Sequence, residues 1–235
     1  MAWYSNFFKK KSNIKFRNYA GAQGGRLFAD WTTTQSSADA EIHGALKTLR
    51  SRSRALARND SYISRYLKML VSNVIGANGI RLASKARNDN GELDLDGNRE
   101  IEQSFKEWCE IGICTANGKQ SFLDCQKLFV ESLARDGEVL IRHLRSRANR
   151  FGYQIQFLES DYLDEEYNRP NEENGNQIKM GVEMNSFGKP IAYYLLKNHP
   201  GNTIGVAYNQ KYFRLPADEM IHASMATRAD QTRGV

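Results

Sequence analysis

From Ser36 onward the apolar positions follow a helical period as far as Gly137, and a period of two beyond it. Ser36 and Ser37 are good N-caps, with Asp39 and Glu41 in the first turn behind them. Ile42, Leu46, Leu49 and Leu56 then fall within about 80° of one another at roughly 100° per residue. Asn59-Asp60 breaks or caps this helix. A second helix carries Ile63, Tyr66, Leu67, Leu70, Val71 and Val74 as a full apolar face, and Gly76 and Asn78-Gly79 end it. Residues 80–84 read as a short strand and residues 88–97 as a polar loop. Residues 100–110 form a helix with Ile101, Phe105 and Trp108 on one face. Ser121 with Asp124 makes a capping-box-like start to a helix through Leu128, Phe129 and Leu133, and Gly137 is its natural end.

The strand pattern begins at once. Residues 139–144 form a strand, and Tyr153, Ile155 and Phe157 alternate with Gln154 and Gln156. Ile178, Met180, Val182 and Met184 alternate with Lys179, Gly181, Glu183 and Asn185. Residues 191–196 follow a hairpin-type loop, and residues 215–222 form a last, weak strand. Helices first and antiparallel strands second predict an α+β fold over residues 36–235. Residues 1–35 read as a partly disordered arm: Gly21, Gly24 and Gly25 oppose a helix there. Phe7, Phe8, Phe16, Tyr19, Phe28 and Trp31 give that arm something to dock with, on a neighbouring subunit or on its own domain.

Composition narrows the class. Of 235 residues, 40% are hydrophobic and 26% charged, enough for a packed core. No apolar run approaches the roughly 18 residues of a membrane span. At the N-terminus the basic residues follow the apolar ones, so no secretory leader is expected. Cys109, Cys114 and Cys125 are odd in number and form no C-x-x-C pair, which fits small buried thiols in a reducing compartment better than a disulfide or zinc site. The net charge is +6, but residues 1–60 hold eleven Lys/Arg against four acids, so the remainder of the chain is nearly neutral. That asymmetry points to an anionic partner, nucleic acid or an acidic protein surface.

Two basic features are candidate contacts with DNA or a partner subunit. Lys47, Arg50, Arg54 and Arg58 line one stripe of the first helix beside its apolar face. Arg142, Arg145, Arg147 and Arg150 surround the turn after the first strand. As contacts, Arg50 and Arg54 should tolerate joint reversal to Glu without unfolding the domain, at the expense of subunit association or DNA contact. The acidic run Glu159, Asp161, Asp164, Glu165, Glu166, Glu172 and Glu173 matches no calcium-loop spacing and reads as a solvated loop or a complement to basic surface. There is no G-x-S-x-G, H-E-x-x-H or G-x-x-x-x-G-K-[ST]. His43, His143, His199 and His222 are scattered. No catalytic residue, metal or cofactor is expected.

Several stretches, in order, resemble the lambda-like portal proteins of tailed phages. They include Tyr19 to Leu27, Ser37 to Ile42, Leu56 to Asp60, Asn73 to Leu82, Leu133 to Leu140 and Leu158 to Asp164. They continue through Gly181-Val182-Glu183, Gly188 to Tyr193, His199-Pro200-Gly201, Pro216 to His222 and Gln231 to Val235. The resemblance implies a wing-like α+β body of a structural subunit, one of about a dozen in a homo-oligomeric ring at a capsid vertex. It implies double-stranded DNA passing through the ring, and as partners the terminase large subunit, capsid, scaffold and head-completion proteins. It implies location in the virion, with assembly in the host cytoplasm, and no membrane. Family chains continue past the Gln231 to Val235 stretch into stem and clip, so the chain reads as the N-terminal portion. The alternative is a stand-alone basic nucleic-acid-binding module.

Overall fold

A computed structural model describes residues 26, 35–145, 148–170, 175–202 and 212–235. The chain divides into two compact units, Met1–Ser36 and Ser37–Val235, and every helix and strand named below belongs to the second. The arm read for residues 1–35 lies, apart from Arg26 and Gln35, outside the described residues.

Helix α1 (Ala38–His43) starts where Ser37 accepts a hydrogen bond from the Ala40 N–H. It does not run on as one helix with the basic stripe: Gly44 ends it, and α2 (Leu46–Asn59) restarts two residues later. Asp60 serves both neighbours. It closes α2, and its carboxylate accepts the N–H groups of Tyr62 and Ile63 to open α3 (Ser61–Val74). Two helices joined through a single non-helical residue form a tight hairpin that rests on α5 (Phe122–Asp136). α5 begins with a full capping box between Ser121 and Asp124, and ends at Gly137 with φ +77. A Cβ there would fall 2.5 Å from the Val235 backbone, so both the left-handed conformation and the close approach require glycine.

Residues 80–86 join no sheet; side chains satisfy their backbone instead. The Gln126 side-chain amide accepts from Ile80 N and donates to Ile80 O, at 2.7 and 2.9 Å. Asn98 does the same for Ala86, and Glu102 accepts from Ser84 N. The extended pattern was legible, but the pairing partners are helices. Helix α4 (Leu95–Trp108) starts earlier than its apolar face suggests, because Asp94 caps it through the Gly97 N–H.

Two antiparallel sheets complete the fold. One has the order β2 (Tyr153–Leu158), β1 (Glu138–Arg145), β7 (Met220–Ser224). The other has the order β3 (Gln177–Lys179), β4 (Val182–Met184), β5 (Pro190–Leu196), β6 (Tyr212–Pro216). The alternating run at 178–184 is thus a hairpin and not one strand: Met180 and Gly181 both have positive φ, 47 and 82, and turn the chain. The stretch 215–222 is also divided. A 3-10 turn at Ala217–Glu219 carries the chain from β6 in one sheet to β7 in the other. β1 is covered on both faces. Val139 and Ile141 face a cluster with Trp108, Cys125 and Ile155, while Leu140 faces Leu163, Tyr193, Leu195 and Leu215. Burial raises the pKa of Cys109 to about 11 and of Cys125 to about 12, so these free thiols stay protonated at neutral pH. No helix among the described residues is long and apolar enough to cross a membrane.

Candidate interface and the ionic network behind it

The four basic residues of α2 part company. Lys47 and Arg58 are exposed and make no ion pair among the described residues. Arg50 is only 5% exposed. It donates to Glu138 Oε1 at 2.7 Å and to Asp161 Oδ1 at 3.3 Å. Arg54 grips Asp136 with two N–H groups at 2.9 and 3.2 Å and reaches Asp161 Oδ2 at 2.6 Å. Arg50 and Arg54 therefore point into the protein, which corrects the outward stripe read from the helical wheel. Leu56, assigned to the buried face, is 51% exposed in its place. Both stripes are divided: Ile42 and Leu46 of the apolar one are buried with Arg50 of the basic one, while Leu49, Leu56, Lys47 and Arg58 are exposed, because the attracting carboxylates come from distant parts of the chain.

Glu138 is the centre of this network. It opens β1 with a fully buried side chain, beside the α5 terminus that Gly137 forms. Arg233 donates to both of its oxygens, His222 Nε2 lies 3.0 Å from Oε2, and the Gly234 N–H reaches the same oxygen. Arg233 is itself 0% exposed. Its remaining N–H groups donate to the carbonyls of Leu163, Met180 and Ser160 at 2.9–3.2 Å. A guanidinium has five N–H donors, and every nitrogen of Arg233 is engaged. Burial alone would push the Glu138 carboxyl up; the charges and hydrogen bonds of Arg233 and His222 outweigh it and hold the group well below the usual carboxylate range. Asp161 has the same balance, burial against Arg50 and Arg54, and Asp136 likewise, burial against Arg135 and Arg54. Both end below the ordinary value. Nearby, Thr232 donates its N–H and hydroxyl to Asp39 at 2.7 and 2.8 Å, tying the last residues to α1.

This network joins α2, the α5–β1 corner, the β2–β3 connection, β7 and the terminal residues in one set of charges. Its members Glu138, Asp136 and Arg233 escaped a reading that sought exposed clusters. The available signal was a charge directly before the apolar run of β1, and an arginine between Thr232 and Gly234. Glu159, Asp161 and His199 place ligand atoms within 4.8 Å of one another. Arg54 already faces both carboxylates, so the group is one edge of the same ion-pair network.

The second basic group lies beyond β1. Arg142 is half-buried, its guanidinium 5.7 Å from the centre of the Phe213 ring and 3.8 Å from Glu219. Arg145 is exposed with no ion pair among the described residues. Arg150 pairs with Glu107 and stacks over Phe151 at 4.7 Å. Arg147, together with Glu172 and Glu173 of the acidic run, lies outside the described residues.

What the described residues assemble is an internally braced α+β body with exposed basic and apolar surface on its helices. Residues 24–235 match the family described as phage portal protein, lambda family, and the chain belongs to that family. It is also 41% identical, over 227 residues, to a protein named probable portal protein from Halomonas phage phiHAP-1. The alignment covers 96% of this chain and 44% of that protein, so the chain spans less than half the length of the curated relative it matches.

Proposed function

We propose that the protein is a structural subunit of the portal ring at the capsid vertex, through which DNA enters and leaves the head. In that role it associates with further copies of itself and, in the assembled particle, with the terminase large subunit, capsid and scaffold proteins and head-completion proteins. It assembles in the host cytoplasm and ends in the virion. Its part is to position partners, and no step of catalysis is assigned to it.

The observation that carries this reading beyond the family is the distribution of charge and apolar surface on α2 and α3. Lys47, Arg52, Arg58, Arg65 and Lys68 are exposed without ion pairs among the described residues, next to exposed Tyr62, Tyr66 and Met69. Exposed apolar side chains set among cations in one helical hairpin are the kind of surface an assembly covers. Among the described residues, Lys47, Arg58 and Arg145 are the candidate cations without an ion pair, free to meet DNA phosphates or a neighbour's carboxylates. Imaging of the purified protein by negative-stain electron microscopy tests the reading: rings with a central channel support it, and a field of single particles of monomer size opposes it. The unpaired cations also favour one competing reading, a monomeric DNA-binding module. That module would bind duplex DNA with an affinity falling steeply with salt and would show no rings.

A further inference from the structure

Helix α3 turns one side inward and leaves the other bare. Leu67 is buried, whereas Tyr62, Tyr66 and Met69 are 84%, 52% and 54% exposed. Their spacing of i, i+4, i+7 places them on one stripe about 60° wide, the pattern of a helix that docks into a groove. A groove of matching character lies elsewhere on the same body. Ser104, Phe105 and Trp108 of α4, Phe122, and Ile141, Tyr153 and Ile221 of the three-stranded sheet surround an open apolar cleft of about 540 Å³.

We infer that the α3 stripe of one copy seats in the α4 cleft of the next copy, making the head-to-tail contact between neighbouring subunits. This rests on the ring-subunit reading and deepens it by naming the two surfaces. Three observations favour a second copy as the occupant. The charges are complementary: Arg65 and Lys68 flank the stripe, and Glu100 and Glu110 lie on or just beyond α4, all exposed and without ion pairs among the described residues. The stripe also has area to bury: a tyrosine covers about 150–250 Å², and with Tyr62 84%, Tyr66 52% and Met69 54% exposed the three offer on the order of 400 Å², the centre of a standard interface of roughly 800 Å² per partner. The two surfaces also differ, which is what a ring requires: a heterologous contact repeats around an axis, whereas α3 meeting α3 would set Arg65 and Lys68 against themselves. Duplex DNA fits the cations but offers nothing to cover Tyr62 and Met69.

Cysteine cross-linking in the full chain tests this, in a Cys109→Ser background that removes the half-exposed native thiol. Under mild oxidation the double variant Tyr66→Cys/Ser104→Cys should give a ladder of disulfide-linked multimers on a non-reducing gel, while each single variant stays at monomer size. Arg65→Glu should at least halve the ladder, and adding Glu100→Lys should restore it. A dimer from Tyr66→Cys alone would mean a symmetric contact and overturn the assignment. Absence of the ladder, in preparations where the unmodified protein forms rings, would overturn the contact and leave the ring reading standing. An unmodified protein that stays monomeric would remove both. If no ladder formed and Arg65→Glu weakened DNA binding severalfold, the α3 surface would be a nucleic-acid contact instead.

Discussion

Arg54 and Arg58 are one helical turn apart on α2, and their surroundings are opposite. Arg54, with Arg50 a turn earlier, is held by Asp136, Asp161 and Glu138. Arg58 stands exposed beside an apolar stripe whose Leu49, Leu56, Tyr62 and Tyr66 are exposed among the described residues. Residue type and helix position are the same; the difference is the arrival of carboxylates 82 to 111 residues further along the chain. One side of the helical hairpin is closed by the chain's own carboxylates, and the other is the surface proposed to meet a second copy.

The sharpest way to break the comparison is to remove a charge from the closed side. Arg233→Ala leaves Glu138 buried with fewer donors, and removing one partner of a buried pair costs about 3–5 kcal/mol. The denaturant midpoint should fall accordingly, and the same should follow for Glu138→Ala. Arg50→Glu with Arg54→Glu should unfold the domain, the reverse of what an outward stripe would give, and loss of cooperative thermal unfolding would register it.

Next in size is Gly137→Ala, which places a Cβ against the Val235 backbone and forces a positive φ on a residue with a side chain. A cost of about 1–3 kcal/mol is expected, read as a lower melting temperature. A third prediction concerns pH. Glu138, Asp136 and Asp161 are all held below their ordinary pKa, so the folded state binds fewer protons than the unfolded one as pH falls towards and below about 4. Their contribution is present in full above roughly pH 5 and is lost progressively below it. Glu165, pushed up by burial, works in the opposite sense and softens the loss slightly. Urea titrations at pH 7, 5 and 3 should show most of the drop between the last two.

The smallest effect on stability belongs to the open side. Tyr62→Ser with Tyr66→Ser removes exposed side chains and should change unfolding free energy by no more than about 0.5 kcal/mol per site, while weakening self-association. A large loss of stability there would mean that α3 already uses these rings within its own fold.

The sequence carried the fold where local chemistry decides it. The Ser121 capping box, the Gly137 stop, the Asp60 cap, the strands β1 and β5 and the alternation in β2 were all legible, and so was the helix-then-strand order of an α+β fold. It misled where partners are distant. Residues 80–84 look like a strand because they are extended, yet Gln126 and Glu102 supply their hydrogen bonds. The hairpin at Met180-Gly181 hides within an unbroken alternation. The candidate contacts were half legible: the basic residues of α2 were found, but which of them face inward depends on Glu138 and Asp161, and no helical wheel contains those. Ile63, Tyr66 and Val74 were read with Leu67 as one buried face, whereas only Leu67 among the four is buried in the chain.

Light scattering on the purified protein, at low and at high salt, measures the open side most directly. The expected result is a species many times the chain's 26.8 kDa that persists when salt screens charge, because apolar contacts survive screening. A mass of one chain under both conditions would contradict the claim that the bare face of α2 and α3 is built for another copy.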